Sequence, residues 1–82
     1  MDYEKVIKDL IAPFVSNPDE VEIVLHEQKN LRDYEFTIYC KGEDLPALIG
    51  KKGTIANSLR EVANVSARLE HNRLRLKFEE QK

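Results

Sequence analysis

The segment LIGKKGTI, from Leu48 to Ile55, decides how the whole chain is read: two glycines three residues apart enclose two lysines, between stretches of helical spacing. Upstream, Asp44 stands in cap position before Leu45-Pro46-Ala47-Leu48-Ile49, with Pro in the first turn, where its missing N–H is harmless. A short helix ending at Gly50 is predicted. Downstream, Ile55, Leu59, Val62, Ala63 and Ser66 recur at helical spacing, which predicts a helix from Thr54 to about Ala67. Gly50 therefore falls where a helix end favours a left-handed residue, and Gly53 where the next helix begins. Bare backbone at both positions lets a phosphate or sugar approach main-chain N–H groups at the positive end of the longer helix, with Lys51 and Lys52 as point charges beside it. An isolated GxxG is more often helix punctuation flanked by solvated lysines, so the surroundings decide.

Working outward, Tyr3, Val6, Ile7, Leu10, Ile11 and Phe14 share one helical stripe behind Asp2 as N-cap, and Pro13 ends that helix. Ser16-Asn17-Pro18-Asp19 reads as a turn. Val21, Ile23 and Leu25 then alternate with Glu22, Val24 and His26, and Tyr34, Phe36, Ile38 and Cys40 with Glu35, Thr37, Tyr39 and Lys41, the period of half-buried strands. The polar stretch Glu27 to Asp33 between them reads as a loose hairpin loop. After a turn at His71-Asn72, Leu74, Leu76 and Phe78 alternate with Arg73, Arg75 and Lys77, a third strand with one greasy and one basic face, and the tail Glu79 to Lys82 is expected to fray. The order helix, strand, strand, helix, helix, strand predicts one α+β domain over residues 1–82, a two-layer sandwich with three helices on one face of a three-stranded sheet. Strand order stays open at this point.

Composition narrows the function. Of 82 residues 41% are hydrophobic and 34% charged, an ordinary globular balance in which no apolar run approaches a membrane span. Acids in the first ten residues leave no room for a secretory leader, so a cytoplasmic protein is expected. The net charge of −2 hides segregation: residues 1–40 hold nine acids and four bases, residues 41–82 nine bases and six acids. An anion-attracting face can therefore exist on an acidic chain. Cys40 is the one cysteine, and with His26 and His71 it forms no metal-ligand spacing, so no metal or cofactor is expected. Asp19/Glu20 and Glu43/Asp44 sit at turns and caps, where acids are structural. GKKGT lacks the upstream glycine and the feeding strand of a nucleotide P-loop. Catalysis is not expected.

A GxxG between two helices, after a helix and two strands, resembles the K-homology (KH) domain family in its type II arrangement, α-β-β-α-α-β, over nearly the whole chain. The length, the entry Asn17-Pro18-Asp19-Glu20-Val21 and the segment LIGKKGTIANSLREV are similar more closely to the small bacterial single-KH-domain RNA-binding family, the KH-domain protein A family. The resemblance implies non-catalytic binding of single-stranded RNA through the GxxG loop, which clamps about four nucleotides. It further implies self-association, partnership with a larger KH-domain protein, and an RNA-chaperone or post-transcriptional role in cell elongation and peptidoglycan homeostasis. Carried onto this chain, the binding residues are Ile49, Gly50, Lys51, Lys52, Gly53, Thr54, Ile55 and Arg60, with Ile49, Ile55 and Leu48 as candidates for an aliphatic groove under the bases. The family commonly has a base after the second glycine and another early in the next helix, where this chain has Thr54 and Asn57.

On the third helix Ile55, Ala56, Leu59, Ala63 and Ser66 share one arc, Val62 lies at its edge and Val65 outside it. A homodimer seam through Val62 and Val65 is expected, available also to the larger KH partner. The competing function is a protein-interaction subunit whose KH scaffold dimerises and binds little RNA. The basic row Arg73, Arg75 and Lys77 reads as a solvated sheet face that resists aggregation.

Overall fold

Asp2 begins the first helix by accepting from Lys5 N at 3.2 Å, and α1 (Tyr3–Ile11) buries Tyr3, Ile7 and Ile11 at every fourth position. The computed structural model describes residues 2–81, apart from the side chains of Glu27 and Lys29. Pro13 sits in a single 3₁₀ turn, Ala12–Phe14, that closes α1. A second such turn, Pro18–Glu20, starts where Asn17 Oδ1 accepts from Asp19 N and reverses the chain into the sheet.

Three strands follow in the order β1-β2-β3: β1 (Glu22–Asn30) antiparallel to β2 (Asp33–Cys40), and β2 parallel to β3 (Arg73–Glu80). The central strand is thus β2, with Ile38 opposite Ile23 on one side and Phe78 on the other, and Phe36 between Leu25 and Leu76. Between β2 and β3 the chain crosses over through α2 (Leu45–Ile49) and α3 (Thr54–Arg68), as a parallel pair requires. The helices pack on one face of the sheet. Their shared core includes Ile7, Ile11, Ile38, Leu48 and Cys40, and Ala56, Ala63 and Ala67 let α3 approach closely. Burial pushes the Cys40 thiol up from its ordinary value, with Asp44 and Glu80 adding to the effect. Among the described residues no helix is long and apolar enough to cross a membrane.

The expected architecture holds, and four local readings need correction. Glu27 to Asp33 is not a loose loop, because β1 continues to Asn30 and only Leu31 and Arg32 make the turn. Asn30 Oδ1 accepts from Arg32 N at 2.8 Å and Asp33 N at 3.1 Å, which fastens it. Register shifts after Leu25 and after Gln28 break the period-two pattern and leave Leu25 47% exposed, so the strand's second half shows no alternation to detect. Nor does the tail fray at Glu79: Glu79 and Glu80 pair with Tyr39 and Cys40, and Gln81 N donates to Cys40 O at 2.6 Å. Lys82 lies outside the described residues. Asp44 precedes α2 as expected, but its carboxylate does not cap it; Oδ2 accepts from Ser16 Oγ at 2.9 Å and ties down the α1–β1 connection. Leu48, a candidate for the groove, is wholly buried in the core.

On the opposite sheet face Arg73 and Arg75 stand in register with Asp33 and Glu35, and Lys77 pairs with Glu79 at 3.2 Å. Acids therefore accompany the basic row.

Candidate nucleic-acid interface

Gly50 ends α2 with its N–H on Pro46 O at 2.8 Å and a backbone of φ +73°, ψ 178°. Glycine is required there twice over. The left-handed φ disfavours any side chain, and a Cβ would stand 2.9 Å from both Cβ and N of Ile55 and nearer still to its Cγ1. Lys51–Gly53 then make one tight turn, Gly53 N donating to Gly50 O at 3.3 Å, with Lys52 at φ +57° and Gly53 at φ +77°. The turn spends two N–H groups on its own carbonyls, Gly53 N on Gly50 O and Thr54 N on Lys51 O, and its two left-handed residues turn the chain sharply into α3. Space beside Gly53 is open, with no atom within 4 Å of where a Cβ would lie.

No side chain caps α3, so its first N–H groups face the loop without a protein acceptor from a side chain. Lys51, Lys52 and Thr54 are exposed, and among the described residues neither lysine has an ion-pair partner. Ile49 is exposed beside the loop, while Ile55 packs against the core with part of its surface showing. Seven of the eight sequence-predicted binding residues, Ile49 to Ile55, thus form one continuous surface. Arg60 lies about 9 Å farther along α3 than Thr54, at 1.5 Å per residue. Its Nε donates to Leu76 O at 3.0 Å, one Nη donates to Asn57 Oδ1 at 3.0 Å, and the guanidinium lies 5.5 Å from the Phe78 ring centre. Arg60 is anchored where the lysines are not.

Beyond the loop, α3 and the outer edge of β3 enclose a groove of about 950 Å³, lined by Arg60, Asn64, Val65, Arg68, Leu74 and Leu76. Arg73 and Arg75 also reach it from the sheet, so part of the basic row borders the groove as well as the open face. Sequence reasoning missed this wall, because which edge lies open depends on strand order. It also missed Leu69. Val62, Val65 and Leu69 are 50%, 53% and 78% exposed and follow at steps of three and four, one apolar stripe on α3; the spacing was readable, but the helix reaches Arg68 rather than Ala67, bringing Leu69 into phase.

The family model described as KhpA/KhpB, KH domain, matches residues 4–78. The chain belongs to the KhpA/KhpB KH-domain family. The KhpA/KhpB match runs from α1 to Phe78 and includes the loop and both walls of the groove. It is 27% identical over 75 residues to a protein of Listeria monocytogenes (serovar 1/2a) named RNA-binding protein KhpA, covering 92% of this chain and 96% of that one. The same figures hold for the RNA-binding protein KhpA of Listeria innocua. Against the RNA-binding protein KhpA of Lactiplantibacillus plantarum the identity is 26% over 61 residues, 74% of this chain and 69% of the relative.

Proposed function

We propose that the chain binds single-stranded RNA without catalysis, holding the sugar-phosphate backbone against Gly50-Lys51-Lys52-Gly53. The observation that carries this reading is the loop itself: left-handed backbone at Lys52 and Gly53, an uncapped helix start, and two exposed lysines with no ion-pair partner among the described residues. Anion binding follows from that geometry, and RNA as the anion is supported by the KH family and the names of its relatives. Lys51 and Lys52 neutralise phosphates, Thr54 adds a hydroxyl at the helix start, and Ile49 and Ile55 give the first bases an aliphatic surface. Arg60 contributes charge farther along. Because α3 and β3 run antiparallel, with Arg60 against Leu76 and Phe78, a strand leaving the loop continues along the groove between them.

The family resemblance extends the proposal to a cytoplasmic RNA chaperone or post-transcriptional regulator linked to cell elongation and peptidoglycan homeostasis. The stripe Val62, Val65 and Leu69 supports a homodimer seam, open also to a larger KH-domain partner. The exposed stripe equally supports a second reading, a protein-interaction subunit with little RNA binding of its own, and Thr54 and Asn57 in place of bases favour it too. Reversing both loop lysines to Asp separates the two. RNA affinity is expected to fall on the order of 100-fold with unfolding unchanged; unchanged affinity would leave the interaction reading standing. Replacing Val62 and Val65 with Glu is expected to give a folded monomer by light scattering; both residues also line the groove, so the readout for the seam is mass and not RNA affinity, and a double variant that stays dimeric moves the seam elsewhere.

A further inference from the structure

Asn64 sits in the middle of α3, where asparagine has poor helix propensity, yet its carboxamide makes three directed hydrogen bonds. Oδ1 accepts from Leu74 N at 2.9 Å, and Nδ2 donates to Leu74 O at 2.9 Å and to Arg60 O at 2.8 Å. The N–H and C=O of Leu74 belong to the outer edge of β3, since Arg73 N and Gln81 N point the other way, to Arg32 O and Cys40 O of the β2 side. Side by side on a strand edge, one residue's N–H and C=O form a donor and acceptor pair that the edge of a base can meet. A carboxamide meets it with an amino donor beside an acceptor. Adenine carries the same fork in its N6 amino group and the neighbouring ring nitrogen.

Both Leu74 and Asn64 line the groove that leads from the loop. Nearer the loop, Leu76 O is held by Arg60 Nε, while among the described residues no protein acceptor is recorded for Leu76 N. We infer that Asn64 is an internal occupant of the groove, standing where one base would pair, so that β3 reads a bound strand only as far as Leu76. The inference rests on the RNA-binding reading above and adds to it a residue that limits how many bases are read. Removing the carboxamide uncovers the Leu74 pair and admits one more adenine.

The test is Asn64→Ala, with Asn64→Ser as a second variant whose side chain is too short to reach both Leu74 groups. Oligo(A) strands of increasing length are titrated against the full chain and both variants. The natural chain is expected to reach its affinity plateau one nucleotide earlier than the variants, which bind the longer strand about fivefold tighter. Amide exchange gives a second readout: Leu74 N–H exchanges slowly in the natural chain, faster in the variants, and slowly again in the variants once oligo(A) is bound. A plateau at the same length in all three proteins, with binding still lost on reversing Lys51 and Lys52, overturns this inference alone. Absence of oligo(A) binding to the natural chain while a mixed-sequence single-stranded RNA still binds overturns this inference alone, and absence of binding to both overturns it together with the RNA reading.

Discussion

The two ends of the groove treat their backbone in opposite ways. At the start of α3 the backbone has positive φ at Gly50, Lys52 and Gly53, no side chain caps the helix, and two lysines border it with no ion-pair partner among the described residues. Along its middle, α3 covers the facing edge of β3 with its own side chains, Arg60 on Leu76 O and Asn64 on both polar groups of Leu74. Lys51 and Arg60 carry the same formal charge and differ in what surrounds them. Attraction for an external anion depends on which donors remain uncommitted after folding, and charge counting along the sequence does not see that.

Charge changes at the two ends should therefore have unequal consequences. Reversal of Lys51 and Lys52 is expected to lower RNA affinity on the order of 100-fold while the thermal midpoint stays within about 2 °C, because neither side chain holds anything else in place. The glycines should separate next. Gly50→Ala meets both a positive φ and the Ile55 side chain and is expected to cost about 2–3 kcal/mol in urea unfolding, whereas Gly53→Ala has open space and only the φ to contend with, about 1 kcal/mol. Equal costs at the two positions would mean that Ile55 yields easily and the close approach is not a constraint.

Arg60→Gln should lower stability by about 1 kcal/mol through loss of the Leu76 bond and the Phe78 contact, and RNA affinity only about threefold. A loss as large as that from the lysine pair would put the main phosphate contact on the anchored side of the groove. The smallest effect is in the salt dependence. With three contacts the slope of log affinity against log salt on single strands is about −2, and about −1.4 for Arg60→Gln. A much steeper slope in the natural chain would bring Arg73, Arg75 and Lys77 into the interface.

Most of the fold was legible because its signals are local. The α1 stripe, the Gly50 and Gly53 breaks and the alternation in β2 and β3 each follow from a short run of residues. The second half of β1 was not, since its bulges remove the alternation and an Asn30 side chain, rather than a glycine pair, makes the turn tight. The geometry of the candidate loop was legible for the same reason as the helix ends that flank it. The groove half was not: Leu74 and Leu76 look like core residues in any strand pattern, and only the order β1-β2-β3 leaves their backbone on an edge. Asn64 gives no sequence signal for its partner ten residues away, and Leu48 was misassigned because a helical face does not say which neighbour covers it.

RNA is expected to meet the loop first. Titrating a short single-stranded RNA into isotope-labelled protein and following the nitrogen and proton shifts tests it most directly. The largest changes should fall on the amides of Gly50, Lys51, Lys52, Gly53 and Thr54, followed by Leu76. Still loop amides, with the changes carried instead by the side-chain Nε–H signals of Arg73 and Arg75, would contradict the account.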